Sequence, residues 1–430
     1  MSFARINKGL VKTALTIAVA TSMVQVVHAN SQQDEIQQLR AEIQELRALV
    51  QQQAAQQKQI LPPPAPVGAP PAMHVQPKDL KVTTSKGAEV KLYGFVRGDA
   101  NYIIEGADDD FNSVASSTGA TKDKLRATAK TTRIGIDFKT PIAGADVGGK
   151  LEADFAGNGT GENLRIRHAY LTYNNWLFGQ TTSNFLAGHA PEMIDFNTNI
   201  GGGTTRLPQV RYGYKFSPAT QLFVALEEGN STGSLLTFNA SGERNSASTK
   251  YSIPAVTAKI VQGFADGKGS ASFRALAENY EATGTDDKTG WGVAVGANYQ
   301  IADPLKIFGD FSHIKGNSNY LYGANKAYAV VGNDLKQNEF NTFQIGGTYQ
   351  ILPNLRSTLA FGGMYADDDN GFATAVPEAN KEVQQAWINL IYSPAKPIDL
   401  GLEYINGKRE TFTGTKYDDN RLGLMAKYSF

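Results

Sequence analysis

The chain has 430 residues, with 43 Gly, 18 Tyr, 21 Phe, no Cys and a formal net charge of zero. Its neutral balance excludes the basic footprint of a nucleic-acid binder, and the lack of Cys excludes a disulfide scaffold. So much Gly and aromatic residue with so few long apolar runs is foreign to a soluble α/β enzyme.

The first residues read as an export signal. Arg5, Lys8 and Lys12 form a positive region, residues 13–24 a short apolar core, and Val27-His28-Ala29 a small-residue cleavage site. Residues 1–29 are therefore expected to be a signal peptide. An N-terminal membrane anchor is the alternative, but the stretch is short for a span and no stop-transfer pattern follows. No later run reaches the length a transmembrane helix needs.

Residues 30–60 are expected to form a short α-helical coiled coil. Ile36, Ile43 and Val50 fall at heptad position a, and Leu39 and Leu46 at d. Glu35 and Glu42 at g face Arg40 and Arg47 at e, which suits parallel helices. Such a seam is marginal alone and prefers dimers, so in a trimer it must follow whatever gathers the chains. A disordered polar spacer is the alternative. Residues 61–88, rich in Pro and Ala to Pro77, are expected to be an extended linker.

From residue 89 onward the sequence alternates with period two. Leu92, Val96, Ala100, Tyr102 and Ile104 share one parity, and Lys91, Arg97, Asp99 and Asn101 the other. The final segment repeats this, with Leu422, Leu424, Ala426, Tyr428 and Phe430 against Arg421, Lys427 and Ser429. Two segments are irregular: 163–173 and 381–392 carry apolar side chains on both parities. Strands with a charged inner face cannot build a dry soluble core. They can face lipid on one side and a wet lumen on the other, provided the sheet closes. About sixteen segments are discernible, so residues 89–430 are expected to form an all-β, sixteen-stranded antiparallel transmembrane β-barrel. Short connections (140–145, 174–175, 217–218, 302–304, 352–354, 393–397) take turns with long ones (105–124, 185–208, 229–252, 316–337, 366–380), as periplasmic turns and external loops do.

Arg97, Arg133, Arg165, Arg167 and Arg211 fall on the first, second, fourth and sixth strands, some way above their periplasmic ends. Arg421 on the sixteenth strand completes a contiguous basic arc, the arrangement by which pores favour anions. Glu192 and Asp195 in the third long loop are expected to face this arc and set up a field across a constriction. In the competing account the arginines pair with Asp99, Asp137, Glu152 and Asp154 to stiffen the lumen.

The strands KLYGFVRGDANY, TRIGIDFKT, LRIRHAYLTY and QVRYGYKF, together with the export signal and heptad segment, resemble the DcaP-like family of trimeric outer-membrane porins. The likeness extends over nearly the whole mature chain. It implies a homotrimer in the Gram-negative outer membrane, an N-terminal arm in the periplasm, and an anion-preferring channel for small dicarboxylates. Small anionic antibiotics are a further solute class. The resemblance makes Arg97, Arg133, Arg165, Arg167 and Arg211 candidates for solute contact, since a guanidinium grips carboxylates in two-pronged fashion.

Neither a cofactor nor a metal site is expected, and no enzymatic activity. His74, His168, His189 and His313 lack the spacing of a zinc protease or the setting of a nucleophile elbow, which disfavours a barrel hydrolase. A structural barrel with a periplasmic spacer is the other alternative. Outer-membrane lipid and lipopolysaccharide are the expected partners, and the acidic clusters 108–110 and 367–369 read as loop charge or as bridges to lipopolysaccharide through divalent cations.

Overall fold

The computed structural model describes residues 81–84, 87–157, 162–229 and 252–430, with the backbone of residues 237–238, 244–245 and 249–250. The expected signal peptide (1–29), coiled coil (30–60) and most of the linker (61–88) lie outside the described residues. The last few linker residues are an exception, because Lys81–Thr83 forms a strand pairing with residues 89–91.

Sixteen antiparallel strands form a closed barrel. They are β1 (Glu89–Gly106), β2 in two pieces (Thr121–Thr128 and Arg133–Ile142), β3 (Ala145–Asp154), β4 (Arg165–Tyr173), β5 (Trp176–Thr182) and β6 (Arg206–Lys215). There follow β7 (Thr220–Glu227), β8 (Ala255–Phe264), β9 (Gly269–Ala282), β10 (Lys288–Ala302) and β11 (Leu305–Lys315). The last five are β12 (Glu339–Leu352), β13 (Leu355–Ala366), β14 (Asn380–Ala395), β15 (Ile398–Thr411) and β16 (Lys416–Ser429). Each strand pairs with its neighbour in sequence, and β16 closes on β1 from Phe95↔Ser429 to Glu105↔Asn420. The seam ends in a reciprocal bond, with Gly94 donating to the Phe430 carbonyl and Phe430 to that of Gly94. A Cβ on Gly94 would collide with the Arg133 carbonyl, so glycine lets β1 and β2 approach beside the seam. Without a free edge, the backbone satisfies the demand that lipid makes of it. Among the described residues no helix is long and apolar enough to cross a membrane.

The period-two pattern becomes two surfaces. Val96, Leu359 and Leu424 are more than half exposed on the outer wall, while Asp99, Asn101, Glu403 and Arg421 are buried inside. Outward aromatics gather beside the short turns, among them Tyr173, Trp176, Tyr214, Phe216, Tyr392 and Tyr428. That is the girdle expected where hydrocarbon meets headgroups.

The two irregular segments have different causes. In β4, His168 lies opposite Glu152, Ile166 opposite Ala153 and Arg165 opposite Asp154, leaving Arg167 as a surplus residue. This β-bulge switches parity mid-strand, so Ile166 and Leu171 both face out while Arg165, Arg167 and His168 turn inward. In β14 the register holds from Glu382 to Tyr392. Val383, Trp387 and Ile391 point inward and are nonetheless fully buried, because the loop after β5 folds into the barrel and covers them.

Candidate functional site

That inward loop, residues 183–205, leaves the wall between β5 and β6 and crosses the lumen. Its Phe185, Leu186 and Ile200 form an apolar cluster with Val114 of the first loop, Tyr320 and Leu321 of the loop after β11, and inward side chains of β9, β11, β12 and β14. Trp387 donates from Nε1 to the Glu192 carbonyl (3.2 Å), and Asn389 donates to the same oxygen (2.9 Å). Glu403 of β15 accepts from the Ile194 and Asp195 amides at 2.9 and 2.8 Å. The lumen is thereby divided. Its face on β9–β15 is covered by the loop, and its face on β2–β8 stays lined by charge.

On the charged face, β2, β3 and β4 bring three guanidiniums to two carboxylates. Arg165 holds Asp154 by two bonds, Nε to Oδ1 at 2.9 Å and Nη2 to Oδ2 at 2.7 Å. Arg167 bridges Glu152 and Asp154, at 2.8 Å to each, and Arg133 Nε lies 3.4 Å from Glu152. A fourth, Arg206 of β6, lies within electrostatic reach of all three. It forms no ion pair among the described residues, and its Nε is buried without a hydrogen-bond partner. Four guanidiniums thus stand beside two carboxylates, and three of them are paired. Arg165, Arg206, Gln180, Phe196 and Thr205 line a cavity of about 840 Å³ that opens on the loop side.

The other expected residues are placed differently. Arg97 is buried; its Nε and Nη2 grip Asp99, Nη2 also donates to the Ile194 carbonyl, and Cζ stands 4.3 Å from the Phe196 ring. It clasps the inward loop to the wall. Arg421 is wholly buried, held by Asp419 at 2.8 Å and by the carbonyls of Ala107 and Asp109 at 2.6 Å each. It anchors the first loop and presents no charge to the lumen. Arg211 lies lower, with its Cζ 5.4 Å from the centroid of Phe223.

Neither loop carboxylate stands as a free charge opposite the arginines. Glu192 is spanned by Arg356 of β13, which belongs to the opposite wall. Asp195 is buried and accepts from the amides of Asn112 (2.6 Å) and Asn197 (2.9 Å). Burial pushes its carboxyl up to about 6, against the pull of those two amides. In the first loop, the Lys124 ammonium holds the Asp108 carboxyl below its usual range, and Asp110 pairs with Arg126 and Lys130. The exposed trio Asp367, Asp368 and Asp369 offers carboxylate oxygens within 4.8 Å of one another, and Lys381 pairs with Asp368.

Sequence parity missed Arg206 because it puts that residue on the outer face with Pro208 and Val210. Pairing of β4 with β5 stops at Ala169↔Gln180. Above that point the two strands part, and Arg206 and Gln180 both border the cavity. Lys259 of β8 is hard to read from sequence because its segment alternates only faintly. The alternation of Val256, Ala258 and Ile260 with Thr257, Lys259 and Val261 carried a weak signal.

Comparison with known proteins gives a consistent result. The family model for the DcaP outer membrane protein matches residues 72–430. No curated protein matches the chain. Among solved structures, the outer membrane channel DcaP of Acinetobacter baumannii is 63% identical with a TM-score of 0.78, covering 81% of this chain and 99% of that one. An anion-selective porin from Comamonas acidovorans is 13% identical (TM-score 0.52, covering 80% and 100%). A trimer form of OmpT from Vibrio cholerae is also 13% identical (TM-score 0.51, covering 80% and 99%). At such identities the last two speak only for the shared barrel.

Proposed function

This chain belongs to the DcaP outer membrane protein family, and on that premise we propose that its outer-membrane pore prefers anions and passes small carboxylates, dicarboxylates above all. The observation that carries this reading is the excess of guanidinium over carboxylate where β2, β3, β4 and β6 meet the vestibule. A wet wall with surplus fixed positive charge concentrates anions and repels cations. Arg206 has a spare planar fork, which suits a carboxylate better than an ammonium does. A diacid can hold one carboxylate there while its other end is drawn onward.

The reading includes removal of residues 1–29 on export, a periplasmic arm of residues 30–88 with a coiled coil over 30–60, and assembly as a homotrimer in contact with lipid and lipopolysaccharide. An apolar hollow of about 920 Å³ on the outer wall, bordered by Ala100, Ala127, Leu390, Leu402 and Leu424, supports the trimer by offering a concave face for a neighbouring barrel.

The test is the reversal potential of single channels across a potassium chloride gradient, repeated with potassium succinate. A potential of the sign set by chloride, with measurable succinate current, supports the reading. A potential of the sign set by potassium removes it.

A further inference from the structure

Phe223 is out of place. It stands on the inward parity of β7 with Ala225 and Glu227, whereas Val224 and Leu226 face out. A phenyl ring on the charged face of a lumen has neither lipid nor a dry core to explain it, and it belongs to none of the buried apolar clusters. What surrounds it is cationic. Arg211 Cζ lies 5.4 Å and Lys259 Nζ 5.6 Å from its centroid.

The register builds this grouping. Phe223 pairs with Gly213 on one side and Lys259 on the other, and Arg211 pairs with Ala225, the next inward position. Gly213 matters because a Cβ there would lie 3.2 Å from ring carbons Cδ1 and Cε1, so the ring rests over its bare backbone. Among the described residues neither cation is in direct ion-pair contact with a carboxylate, although Glu227 lies within electrostatic reach of both. Lys259 makes one long contact, 3.4 Å to the Leu186 carbonyl. The nearby carboxylate Glu227 is buried and turned to the root of the inward loop, where it accepts from Ser183 Oγ, the Asn184 amide and Thr257 Oγ1. Two like charges beside one ring, with the local carboxylate occupied elsewhere, leave room for an external anion.

Height separates this group from the arginines above. Arg211 lies five residues along β6 from Arg206, about 16 Å of extended chain toward the short-turn end. We infer that Arg211, Phe223 and Lys259 form a second anion station, closer to the periplasm, which takes a carboxylate between its two cations and rests the hydrocarbon body of the solute on the Phe223 ring. This rests on the anion passage proposed above and adds a preference to it. Carboxylates with a flat apolar body should dwell longer than acetate, because the ring offers stacking as well as charge.

The test uses the full-length porin in planar bilayers, with block of the chloride current by benzoate and by acetate. The expected result is that Phe223→Leu raises the half-blocking concentration of benzoate about threefold and leaves acetate unchanged. Lys259→Met should raise both. Gly213→Ala, which presses on the ring without removing it, should shift benzoate alone. Each variant is first shown to be folded by its heat-modifiable gel mobility, and any that is not is replaced in the comparison by the other ring variant. Wild-type half-blocking concentrations in folded Phe223→Leu and Lys259→Met overturn the station and leave the anion passage standing. A cation-selective wild type overturns the anion passage, and the station with it.

Discussion

Arg356 of β13 holds Glu192 of the inward loop by two parallel hydrogen bonds, Nε to Oε2 and Nη2 to Oε1, each 2.7 Å long. The loop's most prominent carboxylate is therefore spent on the wall behind it. Any field across the lumen comes from surplus guanidinium on one face and from the near-neutral packed loop on the other.

Replacing Arg356 by Met should loosen this grip without freeing the loop. Glu403, Trp387 and Asn389 still hold its backbone. Both partners are a quarter to a third exposed, so the pair is worth about 1 kcal/mol at most. Single-channel recordings should show more open-channel noise at unchanged mean conductance. An equally quiet channel would mean that the pair does not restrain the loop.

Arg421 and Arg206 should separate stability from selectivity. Arg421→Met leaves buried Asp419 without its cation and should lower stability by about 3–5 kcal/mol, read as earlier melting in detergent, with the chloride-to-potassium permeability ratio unmoved. A shift in that ratio would place Arg421 on the ion path.

Arg206→Gln should do the reverse. Removing one charge several ångströms from a hydrated path changes the local potential by about 0.5 kcal/mol, a factor of about two in the permeability ratio. Melting should stay near wild type, since no ion pair is lost. Unchanged selectivity would exclude Arg206 from the conducting wall.

The bulge in β4 makes a deletion prediction. Removing Arg167, the surplus residue, leaves Arg165 opposite Asp154 and Ile166 opposite Ala153, so the shortened strand should still assemble. Removing Ile166 instead forces an arginine onto the lipid face, at about 2–4 kcal/mol. Unheated gels compare the two; equal folded yield would refute the assignment of the bulge.

Acid should tighten the inward loop through Asp195. Its carboxyl is raised to about 6, above the ~3.9 of an unfolded chain, so the folded state binds the extra proton. Stability should rise as pH falls through 6 and level off below about 4. Melting of wild type and Asp195→Ala at pH 7.5 and 5 checks this, with the larger gain expected in wild type. An equal pH response in both would assign the gain to a group other than Asp195.

Period-two alternation, a local property, determined the barrel, its lipid face and the charged parity of Arg97, Arg133 and Arg211, because successive side chains of a strand must point to opposite sides. The alternation of short and long connections determined which end carries the loops. Tertiary structure alone decided which inward positions stay wet. Val383, Trp387 and Ile391 look like errors of pattern until the inward loop covers them, and Arg421 looks like pore lining until the first loop closes over it. Arg206 parity-faces lipid until β4 and β5 part. Strand geometry sets the side to which a residue points, but its solvent is set by chain folded in from elsewhere, and that information is not local to the strand.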